Sequence, residues 1–219
     1  MTMRAAPCEP DLRYELEANT MGFRVVCGVD EAGRGPLAGP VVAASVILPP
    51  GKTIPGVRDS KTLTEARRAE LYRKITGAAR DYGIGAADVD EIERLNILRA
   101  TLLAMKRAVE NLRRLRPDII IVDGGNTIPV DIPQWTVRRG DAVCHCVAAA
   151  SIIAKHTRDA LMREYHRKFP EYGFDRHKGY GTRRHRDMIT AFGPCPIHRK
   201  TFAPVQQCLL EMRDGAEES

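Results

Sequence analysis

The sequence predicts an α/β fold: a mixed central β-sheet flanked by helices, with a small helical C-terminal extension. Three observations carry this. Ile119-Ile120-Ile121-Val122 is apolar at every position, as a strand buried on both faces requires. Two β-branched runs, Val25–Val29 and Val41–Leu48, flank a glycine-rich loop and so read as an antiparallel pair. Between and after them lie segments whose apolar residues recur every three or four positions, the pattern of helices packed on a sheet.

In chain order, Met1–Arg24 is a polar lead-in with room for one or two helical turns. Val25–Val29 runs into Asp30-Glu31 and the loop Ala32–Pro40, which puts the acids at the far end of the first strand. Val41–Leu48 is closed by Pro49-Pro50-Gly51. After Arg58-Asp59-Ser60-Lys61, Thr62 and Glu65 have capping-box spacing, and Leu71, Ile75 and Ala79 recur at one-turn intervals. A strand is expected near Tyr82–Ala87. Leu98, Leu102, Met105, Val109 and Leu112 then mark an amphipathic helix that ends before Pro117. The central strand stops at Asp123-Gly124-Gly125, and Gln134–Val137 can form one more. Val147, Ala150, Ala154, Leu161 and Tyr165 suit a long helix from about Val143 to Phe169, and Thr182 and Gly193-Pro194 bracket the last clear helix. No linker divides the chain. Residues 25–205 read as one domain between the lead-in, 1–24, and a tail, 206–219, whose end from Asp214 to Ser219 is expected to be disordered.

Hydrophobic residues make up 43% and charged residues 28% of the 219, ordinary for a globular chain, and the net charge of +6 favours an anionic partner. No apolar run approaches the roughly 20 residues of a membrane span. The lead-in carries Glu9, Asp11, Glu15 and Glu17 and no apolar signal core, so a cytoplasmic protein without membrane contact is expected. Six cysteines, at 8, 27, 144, 146, 195 and 208, are too sparse for a disulfide scaffold.

Neighbouring side chains on a strand point to opposite faces, so Asp30 and Glu31 can share an ion only where the strand ends or bulges. Gly33 and Gly35 supply backbone freedom and let a ligand approach, while Arg34 adds a charged fork suited to phosphate. Asp123 also ends a strand; if the two strands are neighbours, Asp30 and Asp123 converge, and Asp141, opening a helix, can join them. Four all-oxygen donors suit Mg²⁺ or Mn²⁺ rather than zinc, and their mutual repulsion calls for cations. Two such ions form a clamp for in-line displacement at phosphorus. Taken singly, Asp123 is better read as a turn residue before Gly124 and Asp141 as a helix N-cap; only the set of four points to this chemistry.

A basic block, Arg176-His177-Lys178-Gly179-Tyr180-Gly181-Thr182-Arg183-Arg184-His185-Arg186, lies later. With Thr182 as cap, Arg183, Arg184 and Arg186 gather at the positive end of a helix, where a phosphate offsets their repulsion. Tyr180, between two glycines, is placed to stack on a sugar or base. A solvated basic face is the plain alternative. Lys61 is either a phosphate contact or an exposed lysine ahead of a helix. Ser151, Lys155, Arg158 and Asp159 form either a phosphate-facing stripe or a local salt-bridge cluster. Cys144-His145-Cys146 and Cys195-Pro196-Ile197-His198 suggest zinc, but helical residues two apart diverge by about 200°. Cys144 and Cys146 are therefore expected to face opposite ways, and none of these residues to bind metal.

Together the blocks Gly28–Pro40, Asp59-Ser60-Lys61, Val122-Asp123-Gly124, Gly140-Asp141, Ala149–Lys155 with Arg158-Asp159, and His177–Thr182 resemble the ribonuclease HII family over roughly Val26–Pro204. The resemblance implies an RNase H-like fold and a catalytic metal site of Asp30, Glu31, Asp123 and Asp141 with Mn²⁺ or Mg²⁺. It implies hydrolysis of the RNA strand of RNA–DNA hybrids and incision 5′ to single ribonucleotides in duplex DNA, leaving 5′-phosphate and 3′-hydroxyl ends. It also implies that the Gly33-Arg34-Gly35 backbone and Tyr180 read the 2′-hydroxyl. Lys61, Ser151, Lys155, Lys178, Arg183 and Arg184 complete the expected substrate contacts, and a monomer is expected. The chain departs from the pattern at Gly125, Arg139, Val143–Cys146, His156 and Thr201, none of them an expected ligand. A junction-resolvase-like nuclease of the same fold and a non-catalytic hybrid-binding protein are the rival readings.

Overall fold

The computed structural model describes residues 9–217, and in it Ile119–Val122 is fully buried, as its unbroken apolar run requires. The elements are α1 (Arg13–Thr20), β1 (Val26–Ala32), β2 (Val41–Ile47), α2 (Glu65–Ala78), β3 (Asp81–Ala87), α3 (Val89–Leu95), α4 (Ile97–Glu110), β4 (Ile119–Asp123), β5 (Gln134–Val137), α5 (Gly140–Val143), α6 (His145–Lys168), α7 (Phe174–His177), α8 (Arg183–Phe192) and α9 (Ala203–Glu217). They divide into two compact units. The first comprises the chain up to Ala32 with Val42–Ala86 and Leu102–His156; the second comprises Gly33–Val41, Ala87–Thr101 and the chain from Thr157.

The first unit is built on a mixed sheet of order β3-β2-β1-β4-β5. The expected antiparallel pair is β1 with β2, while β4 runs parallel to β1, and β5 parallel to β4. The β1–β4 register runs from Val26–Ile119 to Val29–Val122, so Asp30 and Asp123 come next on adjacent strands. Helix α6 lies directly on β1. A Cβ on Gly28 would stand 2.3 Å from the Cys146 carbonyl carbon and 2.5 Å from the Val147 nitrogen, so only glycine admits the helix backbone. Leu63, Leu71 and Ile75 pack with Ala44, Val46 and the alanine-rich first half of α6. The buried Ser45 hydroxyl donates to the Ala108 carbonyl of α4 at 2.7 Å.

Helix α2 starts later than its sequence suggested. Asp59 takes the Lys61 N–H and caps a 3₁₀ turn at Ser60–Thr62, leaving Thr64 to cap α2 by accepting the Arg67 N–H. Helix α3, unforeseen, carries a full Asp88–Glu91 capping box.

In the second unit Leu37, Met162, Phe174, Ile189 and Val205 form a separate apolar cluster. Helix α9 takes up much of the expected tail: Val205 and Cys208 are buried, and Leu209 packs beside them at one-turn spacing. Within the lead-in, α1 supplies the two turns foreseen. Residues 1–8, Cys8 among them, and the last two of the tail lie outside the described residues.

Gly28→Ala forces α6 off β1 and is expected to lower stability by about 1–3 kcal/mol, the usual cost of overpacking. Gly125→Ala, where an added Cβ meets nothing within 4 Å, should cost far less; denaturant unfolding of the two variants checks the contrast.

Candidate active site

Pairing of β1 with β4 ends at Val29–Val122, while pairing with β2 continues to Ala32. Asp30 and Glu31 therefore sit where β1 has lost one of its neighbours, the strand-end setting in which adjacent carboxylates can converge. Oxygens of Asp30, Glu31 and Asp123 lie within 4.8 Å of one another. Asp30 Oδ1 accepts the Glu31 N–H at 2.7 Å, and Asp123 Oδ1 accepts the Gly140 N–H at 2.6 Å. The second bond ties the end of β4 to the first turn of α5, after Arg139 has turned the chain in a left-handed conformation (φ 57°). Asp141 follows, buried, with Oδ2 3.6 Å from Nζ of the exposed Lys61.

The electrostatics follow from this crowding. Burial, then Glu31, Asp123 and Asp141, push the Asp30 carboxyl well above the usual carboxylate range. Burial and then Asp141 push Asp123 up as well, against the Gly140 hydrogen bond. Burial works against the Lys61 ammonium, yet Asp141, Asp30, Asp59 and Asp123 together raise its pKa. A buried, mutually repelling, all-oxygen donor set fits hard divalent cations such as Mg²⁺ or Mn²⁺.

The glycine-rich loop belongs to the second unit. Gly33 has φ +102°, and a Cβ there would lie 2.0 Å from Arg158 Nε. Gly35, expected to share this conformation, does not: among the described residues it has no positive φ, and its use is the open approach it leaves to the Tyr180 ring, 3.8 Å from where its Cβ would be. Two fully buried arginines shape the loop. Arg158 donates to the carbonyls of Pro40, Lys178 and Ala38 at 2.9–3.0 Å. Arg199 donates to Gly39 at 2.9 Å, Arg34 at 2.9 Å and Gly33 at 2.6 Å. Burial lowers their pKa values only to about 10 and about 9, so both stay charged at neutral pH. Because a trans peptide points its N–H opposite its carbonyl, fixing the Gly33 and Arg34 carbonyls on Arg199 turns the Arg34 and Gly35 N–H groups away from it.

Tyr180 is 44% exposed, and its backbone is held by a chain of neutral histidines. The Cys195 N–H donates to His198 Nδ1 at 2.9 Å, so His198 Nε2 carries the proton and donates to His185 Nε2 at 3.0 Å. His185 Nδ1–H then donates to the Tyr180 carbonyl at 2.9 Å. Burial depresses both rings to about 4, in keeping with neutral imidazoles.

Not every expected contact is presented to a ligand. Ser151 is buried, and its hydroxyl donates to Ser60 Oγ at 2.7 Å. Lys178 is also buried, its Nζ turned onto the Asp175 carbonyl. Arg158 faces carbonyls, neither a phosphate stripe nor a salt-bridge cluster. Lys155 is partly buried, while Arg34, Gly35, Lys61, Arg183 and Arg184 are exposed, the last two opening α8 behind its Thr182 cap. His156 stacks on Tyr72 with ring centroids 4.2 Å apart. Arg199 and the His185–His198 pair escaped the sequence reading, because nothing in residue order marks which arginine or histidine is buried. Cys144 and Cys146 converge, contrary to expectation: Cys144 is extended and ends α5, α6 starts only at His145, and the two Sγ atoms lie 3.5 Å apart.

Residues 27–205 match the family model described as Ribonuclease HII. The chain is 54% identical over 200 residues to a ribonuclease HII of Geobacter sulfurreducens, covering 91% of this chain and 92% of that one. Its fold superposes on the ribonuclease H2 of Pyrococcus horikoshii OT3 with TM-score 0.73 and 28% identity, covering 87% and 99% of the two chains. A Bst-RNase HIII in complex with Mn²⁺ shares the fold at TM-score 0.66 and 19% identity, over 96% and 75% of the chains.

A carboxyl raised on folding holds its proton to higher pH in the native than in the unfolded state, so metal-free stability falls as pH rises through that window. Asp123→Asn keeps the acceptor for Gly140 and removes one of the repelling charges. In chelator at neutral pH it is expected to raise the melting midpoint by about 2–4 °C, the shift that roughly 1 kcal/mol produces at this size. Calorimetry on both proteins checks this, and the gap should shrink as acid protonates the wild-type cluster.

Proposed function

The chain belongs to the ribonuclease HII family, and on that footing we propose that Asp30, Glu31, Asp123 and Asp141 are its catalytic and metal-holding residues. As a member of that family it is a metal-dependent endoribonuclease acting on the RNA strand of RNA–DNA hybrids. We propose further that it incises 5′ to single ribonucleotides embedded in duplex DNA, leaving 5′-phosphate and 3′-hydroxyl ends. The observation carrying the site is the convergence of three carboxylates from two adjacent strand ends, with Asp141 buried next to Gly140, whose N–H Asp123 accepts.

When bound, a pair of Mn²⁺ or Mg²⁺ ions supplies an activated water and steadies the leaving oxygen. The chain's own groups do the rest. Asp123 is held to α5 through Gly140, so the carboxylates are positioned before any ion arrives. Lys61, exposed beside Asp141, is placed to meet a substrate phosphate. The Arg34 and Gly35 N–H groups, turned from Arg199, serve as donors to a phosphate or a 2′-hydroxyl, the group that distinguishes RNA from DNA. Tyr180, exposed beside Gly35, supplies a stacking face for the sugar. Arg183 and Arg184, at the start of α8, reinforce phosphate binding. No helix of the described residues is long and apolar enough to cross a membrane. We place the protein in the cytoplasm as a monomer, a setting that suits its five free, buried cysteines among the described residues.

Incubation with a duplex carrying one ribonucleotide, with and without Mn²⁺, tests the reading. Wild type is expected to cut once, 5′ to the ribonucleotide and only with metal, and Asp123→Asn to lose activity by at least 10³-fold while staying folded. Tyr180→Ala is expected to slow the single-ribonucleotide cut more than cleavage of a continuous hybrid. Equal slowing on both substrates removes Tyr180 from 2′-hydroxyl reading, and unimpaired Asp123→Asn removes the site.

A further inference from the structure

Away from the acidic strand ends, the first unit holds a second group of metal-binding side chains. Glu15 comes from α1, Cys144 from the extended residue that closes α5, and Cys146 from the first turn of α6. One carboxylate oxygen and the two sulfurs lie within 4.8 Å of one another, and the sulfurs are 3.5 Å apart. Glu15 Oε1 accepts the Cys146 N–H at 2.8 Å, whereas Glu15 Oε2 is buried without a hydrogen-bond partner. A buried carboxylate oxygen left in that state is costly, by about 1–3 kcal/mol or more, unless a cation or proton satisfies it. Both thiols are free, buried and unused by the nuclease chemistry.

We propose that Glu15, Cys144 and Cys146 form a zinc site separate from the catalytic carboxylates. Zinc takes thiolate sulfur at about 2.3 Å and carboxylate oxygen at about 2.0–2.2 Å, so a tetrahedral site has sulfurs about 3.8 Å apart and sulfur and oxygen about 3.5 Å apart. The sulfurs, 3.5 Å apart, need to part by only a few tenths of an ångström, and the carboxylate oxygen, within 4.8 Å of both, closes on them by a side-chain adjustment of about 1 Å or less. Glu15 and Cys146 border a cavity of about 30 Å³, enough for a water as fourth ligand. Two thiolates and a carboxylate around Zn²⁺ leave one negative charge, and Arg24 and Lys52 line the same cavity to balance it. Binding expels the two thiol protons to solvent and forms two Zn–S bonds and one Zn–O bond, with no change of oxidation state. The site clips α1 to the start of α6, whose backbone rests on Gly28 of β1.

The test titrates Co²⁺, then Zn²⁺, into the full chain after chelator treatment and in the presence of a non-thiol reductant. One equivalent of Co²⁺ is expected to give the near-ultraviolet thiolate-to-cobalt charge-transfer band, which carboxylates alone cannot produce, and Zn²⁺ to bleach it. Asp123→Asn should show the same band; Cys144→Ala and Cys146→Ala should lack it. Glu15→Gln, which leaves both thiols in place and decides the matter should a cysteine variant fail to fold, should bind Co²⁺ at least tenfold more weakly. No band in the wild type, a band surviving Cys146→Ala, or wild-type affinity in Glu15→Gln overturns the proposal.

Discussion

Left free in solution, the carboxylates of Asp30, Glu31 and Asp123 would move apart; the parallel ladder between β1 and β4 prevents it. Val26–Val29 and Ile119–Val122 are buried and hydrogen-bonded in register, so the first residues beyond that ladder are brought side by side whatever their charge. The apolar strands thus hold the acids in an arrangement that their own electrostatics oppose, and burial first, then the neighbouring charges, raise the Asp30 and Asp123 carboxyls. Such a site is destabilising by construction, and the surrounding core must supply the difference. That core is correspondingly tight, with Gly28 letting the α6 backbone rest on the strand two residues before Asp30.

The second unit solves a complementary problem. Arg158 and Arg199 are buried cations satisfied by main-chain carbonyls, six of which converge from the loop after β1 and from the segment before Tyr180. A guanidinium has donors in a rigid fork and keeps its charge when buried, whereas a lysine could neither hold three carbonyls in one plane nor stay charged as readily. Sequestering the Gly33 and Arg34 carbonyls orients the opposite edges of those two peptides, the Arg34 and Gly35 N–H groups, as donors. The neutral histidine chain from Cys195 to Tyr180 extends this ordering to the loop carrying the exposed ring.

Much of this was legible in residue order. The apolar run Ile119–Val122, the β-branched pair around the loop, and β5 at Gln134–Val137 appear where their patterns put them, because period and composition report burial directly. The convergence of Asp30 with Asp123 needed one further inference, that their strands are neighbours, and the ladder supplies it. What pattern could not report was side-chain direction in loops and at element ends. Ser151 and Lys178 carry the right chemistry and turn it inward, and Arg199 stands between His198 and Lys200 with nothing to show that it is wholly buried beneath the glycine loop. For Cys144 and Cys146 the error was one helix boundary: with Cys144 extended, the divergence of about 200° that holds within a helix no longer applies.

That boundary matters because it gives one unit two cation environments of opposite character. The strand-end cluster offers only carboxylate oxygen, a donor that suits small, strongly hydrated ions able to keep part of their water while substrate phosphate completes their coordination. The Glu15 cluster offers two sulfurs in an enclosed setting bordered by Leu48 and Pro49, where a soft thiolate bond outweighs the loss of hydration. Raw affinity orders zinc ahead of manganese at almost any donor set, so donor type and enclosure must keep the two apart. Placing sulfur at the junction of α1 and α6 and leaving the open strand ends to oxygen achieves that separation. On the proposed assignment an ion at the Glu15 cluster strengthens the scaffold, while the exchangeable ions of the reaction are left to the strand-end carboxylates.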